Sequence, residues 1–239
     1  MHIIPAIDII DGKCVRLAQG QYNAKTVYDE FPADVAMRFQ DAGFLRLHVV
    51  DLDGAKAKKV VNYRTLEQIT RRAEALQVDF GGGIQSDDDV RIAFECGARQ
   101  ITAGSVAVKK RDVFLGWLRE HGAESVILAA DARDERIAVS GWEETTDISL
   151  MEFLAEYERE GVVYTMCTDI SKDGMMQGSA NDLYRRIRDE RPQLRLIASG
   201  GVSSMDDLEE LASIGVWGAI IGKALYEGTL TIDDVRQFL

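Results

Sequence analysis

Short apolar runs alternate with longer amphipathic segments along the whole chain. The apolar runs have the length of buried strands and are bounded by polar or glycine-containing turns. They predict eight strands, near residues 2–7, 45–50, 77–80, 100–103, 125–130, 162–167, 194–198 and 218–221. Between them apolar positions recur at helical spacing, most clearly in ADVAMRFQDAG, YRTLEQITRRAEAL, SDDDVRIAFECG, RDVFLGWLREHG, SLMEFLAEYEREG, NDLYRRIRDE and SMDDLEELASIG. Regular alternation of strands and helices predicts a parallel α/β fold.

The size of the repeating unit favours a barrel over an open sheet. Eight units in 239 residues give roughly 30 residues each, which is typical of a (β/α)8 barrel. An open doubly wound sheet has the same local pattern, but an internal repeat favours the barrel. Alignment of residues 81–108 with residues 199–226 gives seven identities, four of them glycines. Chance similarity between βα units is the alternative explanation of this repeat. We predict an α/β fold, a TIM barrel forming one domain over 1–239, built from two similar (βα)4 halves of about 1–120 and 121–239.

The repeated phrases FGGGIQSDDDV (80–90) and ASGGVSSMDDL (198–208) place paired glycines at predicted strand ends. Glycine lets the backbone turn and present N–H groups to a ligand without a Cβ in the way. The following strands end in TAGS (102–105) and IIGK (220–223), each just before a helix, where N–H groups and the helix dipole favour anions. Two copies predict two phosphate sites, one in each half, with simple tight turns as the alternative. The serines and acids of both phrases fit the S-x-x-D capping pattern and are predicted to start helices.

Two aspartates are candidates for catalysis. Asp8 ends the first predicted strand and Asp131 follows the fifth. These strands lie opposite each other in an eight-stranded barrel, so the two carboxyl groups would face one another across its mouth. That arrangement suits general acid–base chemistry with one group protonated and one ionised. The alternative is that each side chain caps its own loop, and the sequence does not rank the other aspartates crowding this face, namely Asp11, Asp51, Asp53, Asp169 and Asp173.

Composition narrows the classes of partner. The formal net charge of −12 argues against a general nucleic-acid or anionic-membrane surface, and it means that any phosphate must be held by local donors. The three cysteines lack CxxC spacing, the N-terminus lacks the features of a signal peptide, and no apolar stretch reaches membrane-spanning length. We therefore expect a cytoplasmic protein with a small-molecule ligand and with no nucleic-acid or membrane partner.

The sequence gives no indication of a metal or cofactor. His2, His48 and His121 do not form a ligand set, and we expect all three to be structural or exposed. Zinc, Walker and dinucleotide motifs are missing from the sequence. A Schiff-base lysine would need an apolar strand position, whereas Lys13, Lys172 and Lys223 lie in predicted loops or turns.

The motifs IPAIDIIDGKCVRLAQG, VVDLDGA, DFGGGI, VSGWEE, CTDISKDGMMQG and ASGGV…IIGKALYEG resemble the phosphoribosylformimino-aminoimidazole-carboxamide ribotide isomerase family of histidine biosynthesis. The resemblance covers essentially the whole chain, with the motifs in family order. It implies a half-barrel-duplicated (β/α)8 enzyme without a cofactor and without an obligatory protein partner. Its reaction would be an Amadori rearrangement of an aminoaldose to an aminoketose, on a ribotide with a phosphate at each end.

The resemblance also implies roles for individual residues. Asp8 would be the general base that takes the proton from C2 of the ribose, and Asp131 the general acid that protonates the ring oxygen. The implied substrate-binding residues are Arg16, Trp142, Thr168 and Asp169, where Trp142 could equally anchor its own loop. The implied phosphate-binding residues are Gly83, Gly104 and Ser105 at one end, and Gly178, Gly201, Gly222 and Lys223 at the other.

One departure and three rival functions stay open. Many relatives have the motif GGGIRS or GGGVRS, whereas this chain has Gln85 in place of the arginine. Either another basic residue compensates in the first phosphate site, or the contact made by that arginine is not essential. The nearest rival is the cyclase subunit of imidazole glycerol phosphate synthase, although IPAID and SGWEE resemble the isomerase more closely. An isomerase that also serves tryptophan synthesis and a non-catalytic phosphosugar-binding barrel are the others.

Overall fold

The computed structural model describes residues 1–18, 21–29 and 31–239, and the side chains of residues 1–15, 26–29 and 31–239. Within these residues eight parallel strands form a closed ring, because the last strand pairs with the first. In ring order they are β1 His2–Ile10, β4 Arg46–Asp51, β5 Gln77–Gly81, β6 Gln100–Ala103, β7 Val126–Ala129, β11 Tyr164–Thr168, β12 Arg195–Ser199 and β13 Gly218–Ile221. The predicted TIM barrel is confirmed, and all eight predicted strands belong to it.

The helices between the strands confirm the helical periodicity of the sequence. The seven predicted ones are α1 Pro32–Asp41, α3 Tyr63–Arg72, α4 Asp87–Glu95, α6 Arg111–His121, α7 Leu150–Arg159, α8 Asn181–Glu190 and α9 Met205–Ile214. Four shorter ones were not predicted: α2 Leu52–Ala57, α5 Ser105–Lys109, α10 Lys223–Glu227 and α11 Ile232–Val235, the last followed by a 3-10 turn, Arg236–Phe238.

Two antiparallel additions over the carboxyl ends of the strands also went unpredicted. The hairpin of β2 Lys13–Ala18 and β3 Gln21–Asp29 extends from β1, which therefore runs to Ile10 rather than ending near residue 7. A separate three-stranded sheet follows β7 and consists of β8 Ala132–Arg133, β9 Arg136–Val139 and β10 Glu144–Ser149. Both additions therefore begin where a barrel strand ends, the first at β1 and the second after β7.

Alternation along β1 divides the apolar side chains between two layers. Ile3, Ile7 and Ile9 belong to the large cluster between the barrel and its helices. Ile4 and Ala6 belong to a smaller cluster inside the barrel, with residues of the strands across the ring. Since successive side chains of a strand point to opposite faces, Asp8 continues the inward series toward the carboxyl end. Along β1 the interior is therefore apolar at Ile4 and Ala6 and becomes polar at the mouth with Asp8.

The paired glycines are required by close backbone contacts between neighbouring loops. Gly82 has φ +86°, and a Cβ there would lie 2.2 Å from the Asp51 carbonyl oxygen. Gly201 has φ +83°, and a Cβ there would lie 2.2 Å from the Gly178 carbonyl oxygen. Both residues therefore need glycine for conformation and for space, whether or not a ligand is bound.

Both halves of the chain repeat this local design. Ser86 caps α4 and Ser204 caps α9, each accepting a hydrogen bond from the backbone N–H three residues on, as the capping pattern predicts.

The single-domain boundary and the division into halves at about residue 120 stay predictions. None of the helices in the described part of the chain has the length and apolar character to cross a bilayer.

We expect Gly82→Ala to destabilise the fold by about 3 kcal/mol or more, since left-handed strain and a backbone clash add together. Gly116→Ala is the matched control: Gly116 lies inside α6, and no atom lies within 4 Å of its added Cβ. We expect this control to gain up to about 1 kcal/mol from helix propensity. Urea unfolding of both variants measures the two free energies, and equal stability would contradict the close-contact argument.

Candidate functional site

A cavity of about 290 Å³ opens at the carboxyl ends of the barrel strands. Its floor includes the inward-facing Ala6, Met166 and Ile220, and its rim includes the loop residues 138–142. Active sites of (β/α)8 barrels lie at this face because the loops after all eight strands converge there. The cavity is therefore the candidate active site.

Asp8 and Asp131 both line this cavity. Asp8 is a buried inward residue of β1, and Asp131 lies two residues beyond the end of β7. β7 is the fifth strand of the ring counted from β1, so the two carboxyl groups come from opposite walls. The structure thus brings together the two residues that the sequence singled out.

The surroundings of Asp131 change its acidity. Burial raises the pKa of Asp131 above that of an ordinary carboxyl, because the ionised form loses hydration. Hydrogen bonds from the Trp142 indole and the Thr168 hydroxyl, and the positive charge of His48, stabilise the ionised form and act in the opposite direction. The net direction is upward, so Asp131 holds its proton to higher pH than an exposed aspartate.

Trp142 is held over the cavity by an unusual loop. Ser140, Gly141 and Trp142 all have positive φ, at 59°, 67° and 71°. The Trp142 indole N–H donates to Asp131 Oδ2 at 2.9 Å. The loop is tied to α5, because the Ser140 N–H donates to Ser105 Oγ at 2.8 Å and Lys109 Nζ lies 2.6 Å from Glu144 Oε2. Two non-glycine residues in left-handed conformation persist only where surrounding contacts hold them.

Most of the other aspartates at this face hold loops in place. Asp51 is fully buried and accepts hydrogen bonds from the N–H groups of Gly54, Val61 and Asn62, and from the Asn62 amide. Asp53 accepts from the Asp11 N–H at 2.7 Å. The predicted substrate residue Asp169 accepts from the N–H and hydroxyl of Ser171, and it is not among the residues that line the cavity.

Asp173 and His48 also line the cavity, and the sequence assigned a site role to neither. Asp173 is a buried carboxylate that borders both this cavity and a smaller pocket beside it. His48, expected to be structural or exposed, is buried on β4 and lines the cavity. The inward alternation of β4 could have indicated His48, whereas the position of Asp173 depends on the path of the loop after β11.

The residues predicted for the first phosphate site line the cavity. Gly83, Gly104 and Ser105 line it together with Gln85. Two lysines that the sequence did not single out, Lys58 and Lys109, line the same cavity. Lys58 is exposed and follows the last residue of α2 in left-handed conformation. Lys109, and to a smaller extent the charge of Lys58, lower the pKa of Glu144. Positive charge is therefore present at the end where Gln85 provides none.

Three residues predicted for the second phosphate site, Gly201, Gly222 and Lys223, line a separate small pocket. Its volume is about 20 Å³, room for roughly one water molecule. Lys223 Nζ donates to the Gly174 carbonyl at 3.1 Å across it. Gly178 does not line the pocket; its carbonyl instead packs against Gly201.

Arg16 lies on β2, but its side chain is outside the described residues, so the predicted contact of Arg16 with the substrate stays a prediction.

Across the side chains that are described, no group of three or more His, Cys, Asp or Glu residues is arranged to hold a metal ion.

Comparison with known proteins assigns the chain to a family. The family model described as "Histidine biosynthesis protein" matches residues 2–231. Curated relatives from Flavobacterium johnsoniae and Bacteroides thetaiotaomicron are each 54% identical over 239 residues, covering 100% of this chain and 99% and 100% of theirs. One from Cytophaga hutchinsonii is 53% identical over 238 residues, with 100% and 99% covered. Each is named as a 1-(5-phosphoribosyl)-5-((5-phosphoribosylamino)methylideneamino)imidazole-4-carboxamide isomerase. The chain belongs to the histidine biosynthesis protein family.

Proposed function

We propose that this chain is an isomerase of histidine biosynthesis that converts an aminoaldose ribotide to the aminoketose. The observation that carries the proposal is the pair of carboxyl groups, Asp8 and Asp131, on opposite walls of one cavity. An aldose–ketose rearrangement needs one group that removes a proton from carbon and one that donates a proton to oxygen. The full-length relatives named as isomerases support the same reaction.

Asp131 has the environment of the proton donor. Its raised pKa keeps a proton available nearer neutral pH, which a general acid requires. In the proposed reaction Asp131 protonates the ring oxygen, and the C1–O bond opens to a Schiff base between C1 and the amine nitrogen. Asp8 then removes the proton from C2, and the electron pair moves through C1 to that nitrogen to form an enolamine. Proton transfer back to C1 and loss of the enol proton give the aminoketose.

Thr168 and Trp142 support this chemistry through Asp131. Both side chains donate hydrogen bonds to its carboxyl group, which fixes the orientation of the acid. Trp142 also lies on the cavity rim, where its ring can cover a bound sugar. We propose that Asp169 acts indirectly, by holding the loop that follows Thr168.

A substrate with two phosphoribosyl groups needs an anion site at each end of the cavity. We propose that one phosphate binds near Gly83, Gly104 and Ser105, with charge from Lys58 and Lys109. The other would bind near Gly201, Gly222 and Lys223 after the loop carrying Gly174 and Gly178 moves to enlarge that pocket. Arg16 is proposed as a further substrate contact from the β2–β3 hairpin.

We also propose a cytoplasmic location and function without an obligatory protein partner. The cyclase subunit, the isomerase with a second role in tryptophan synthesis and the non-catalytic barrel gain no support from the names of the relatives. Incubation of the purified protein with the ribotide, with and without ammonia, tests the proposal spectroscopically. Aldose–ketose conversion without ammonia supports the isomerase. Ammonia-dependent consumption of the ketose would indicate the cyclase, and binding without turnover a non-catalytic barrel.

Asp8→Asn and Asp131→Asn are each expected to lower kcat by about 10²-fold or more, while the ribotide still binds, since only proton transfer is lost. Asp131→Asn should also be at least as stable as the parent above neutral pH, because the variant no longer buries an ionisable carboxyl group. The difference in free energy of unfolding between the variant and the parent should shrink as the pH falls toward the ordinary carboxyl pKa of about 4. Stopped assays and thermal unfolding across pH measure both; near-normal turnover in both variants would refute the assignment.

Trp142→Phe is expected to move the alkaline limb of the kcat–pH profile to higher pH. The indole hydrogen bond stabilises ionised Asp131, so its removal raises the pKa of Asp131 further. Because the protonated acid is the active form, activity should then persist to higher pH, even where its maximum falls. An alkaline limb that moves to lower pH would assign the limb to another group.

Lys58→Met is expected to raise KM by up to about tenfold with little change in kcat, as loss of one phosphate contact predicts. Adding Gln85→Arg to this variant should restore most of the affinity by supplying a cation at the same end of the cavity. Lys56→Met is the matched control, since it removes the same charge from α2 without lining the cavity. A KM that rises equally in both single variants would point to a general field effect instead.

A further inference from the structure

A polar network crosses three consecutive strands beneath the cavity. His48 on β4 contacts Asp79 on β5, with 2.5 Å between Nδ1 and Oδ1. The Thr102 hydroxyl on β6 donates to the same Asp79 oxygen at 2.9 Å. His48 and Asp79 are directly paired in the strand register, and the three residues are at most 7% exposed. His48 and Thr102 line the cavity, whereas Asp79 does not.

The contact with Asp79 determines which nitrogen of His48 carries the proton. The same Asp79 oxygen accepts a hydrogen bond from the Thr102 hydroxyl, and an oxygen in that accepting role pairs with Nδ1 as the donor. A neutral imidazole has a single N–H, and Nε2 is then an acceptor. Because Nδ1 and Nε2 lie on opposite sides of the ring, Nε2 is directed away from Asp79. A buried histidine without such a partner could adopt either tautomer.

Charges from several elements act on this pair. Arg46 lies two residues before His48, and burial lowers the pKa of Arg46. The nearby charge of Asp79 acts in the opposite direction and favours the charged guanidinium. On the cavity side are Asp8 from β1 and Asp131 after β7. The charge that His48 carries when it is protonated stabilises ionised Asp131. Asp79 is therefore linked through His48 to the proposed acid without touching the cavity itself.

We propose that Asp79 is a positioning residue that holds His48 as the Nδ1–H tautomer and presents Nε2 to the substrate as a hydrogen-bond acceptor. The proposal rests on the proposed isomerase function, because it adds a hydroxyl-binding contact to that site. The ligand chemistry is a sugar hydroxyl, which can donate to Nε2 while the aspartates handle the protons of the reaction. The sequence alone gives no sign of this link, since residues 48 and 79 are adjacent only through the strand register.

Nitrogen NMR of the unmodified protein tests the tautomer without any assay of activity. The chain has three histidines, so ¹⁵N-histidine labelling gives few signals, and loss of one set in His48→Asn assigns residue 48. Above the imidazole pKa, Nδ1 of His48 should resonate as the protonated nitrogen and Nε2 as the unprotonated one. The reverse pattern, or a mixture, would overturn the proposal. This result is independent of whether the protein proves to be an isomerase.

Asp79→Asn tests the positioning role. The amide of this variant is uncharged and can either donate to Nδ1 or accept from it. His48 should therefore lose its single Nδ1–H tautomer and become a mixture, and its imidazolium should become less stable in the same NMR titration. We expect kcat/KM to fall by about tenfold or more, as for other buried partners that orient a functional histidine. An unchanged His48 spectrum, or unchanged kcat/KM despite a shifted tautomer, would refute the role.

Gln100→Leu is the matched control for damage to the barrel interior. Gln100 is the strand-register partner of Asp79 on β6 and is similarly buried, but its contacts go to Arg46 and to the Glu124 carbonyl. This variant should lose stability while His48 keeps its tautomer and kcat/KM stays within about twofold of the parent. An equal loss of kcat/KM in both variants would assign the effect to general destabilisation.

His48→Asn provides a second test if Asp79→Asn fails to fold. An asparagine amide can replace Nδ1 as the donor to Asp79 but does not extend to the position of Nε2. We expect this variant to keep most of its stability and to lose kcat/KM by about tenfold or more. Parent-like kcat/KM would mean that His48 serves only to satisfy Asp79, and the proposal would fail.

Discussion

The pairing of β13 with β1 is the constraint on which the site depends. Four register pairs, from His2 with Gly218 to Pro5 with Ile221, close the sheet into a ring. In an open sheet β1 and β7 would lie apart on one surface, and Asp8 and Asp131 would bound no common space. Closure also directs the even-numbered residues of β1 inward, so that Ile4 and Ala6 fill the interior while Asp8 reaches the mouth. A parallel ring thus turns strand alternation into a cavity with acidic groups on opposite walls.

The donors around each carboxyl group separate structural aspartates from candidate catalytic ones. Asp51 accepts four hydrogen bonds from the loop that it holds, and Asp207 accepts from the N–H groups of Ser203 and Ser204. In both cases the hydrogen bonds tie the carboxylate to the backbone of the loop that it organises. Asp131 instead meets an indole, a hydroxyl and a buried environment, and its pKa is raised. Chemically identical side chains at one barrel face therefore divide between loop organisation and proposed proton transfer.

The sequence predicts what depends on local periodicity and misses what depends on contacts between distant segments. The barrel strands and seven helices follow from alternation and helical spacing, and Asp8 and Asp131 from their place at strand ends. Strand β10 was not predicted because its residues are mostly exposed and carry no apolar alternation. Lys58 reaches the cavity through a left-handed turn, and the His48–Asp79 contact needs the register of two strands. Exposed lysines have no pattern that indicates such a role.

The net charge of −12 makes binding of the proposed bis-phosphorylated substrate unfavourable at long range, so the cavity would have to offset the repulsion locally. In the proposed mechanism the burial of Asp131 contributes twice. It raises the pKa of the acid, and it thereby disfavours a negative charge that would otherwise face the incoming phosphates. Lys58 and Lys109 add positive charge to the cavity lining, and Glu144 interacts with Lys109. A phosphate that replaces Glu144 on Lys109 would release part of the loop that carries Trp142. Substrate binding and the position of the Trp142 indole beside Asp131 would then be coupled through Lys109.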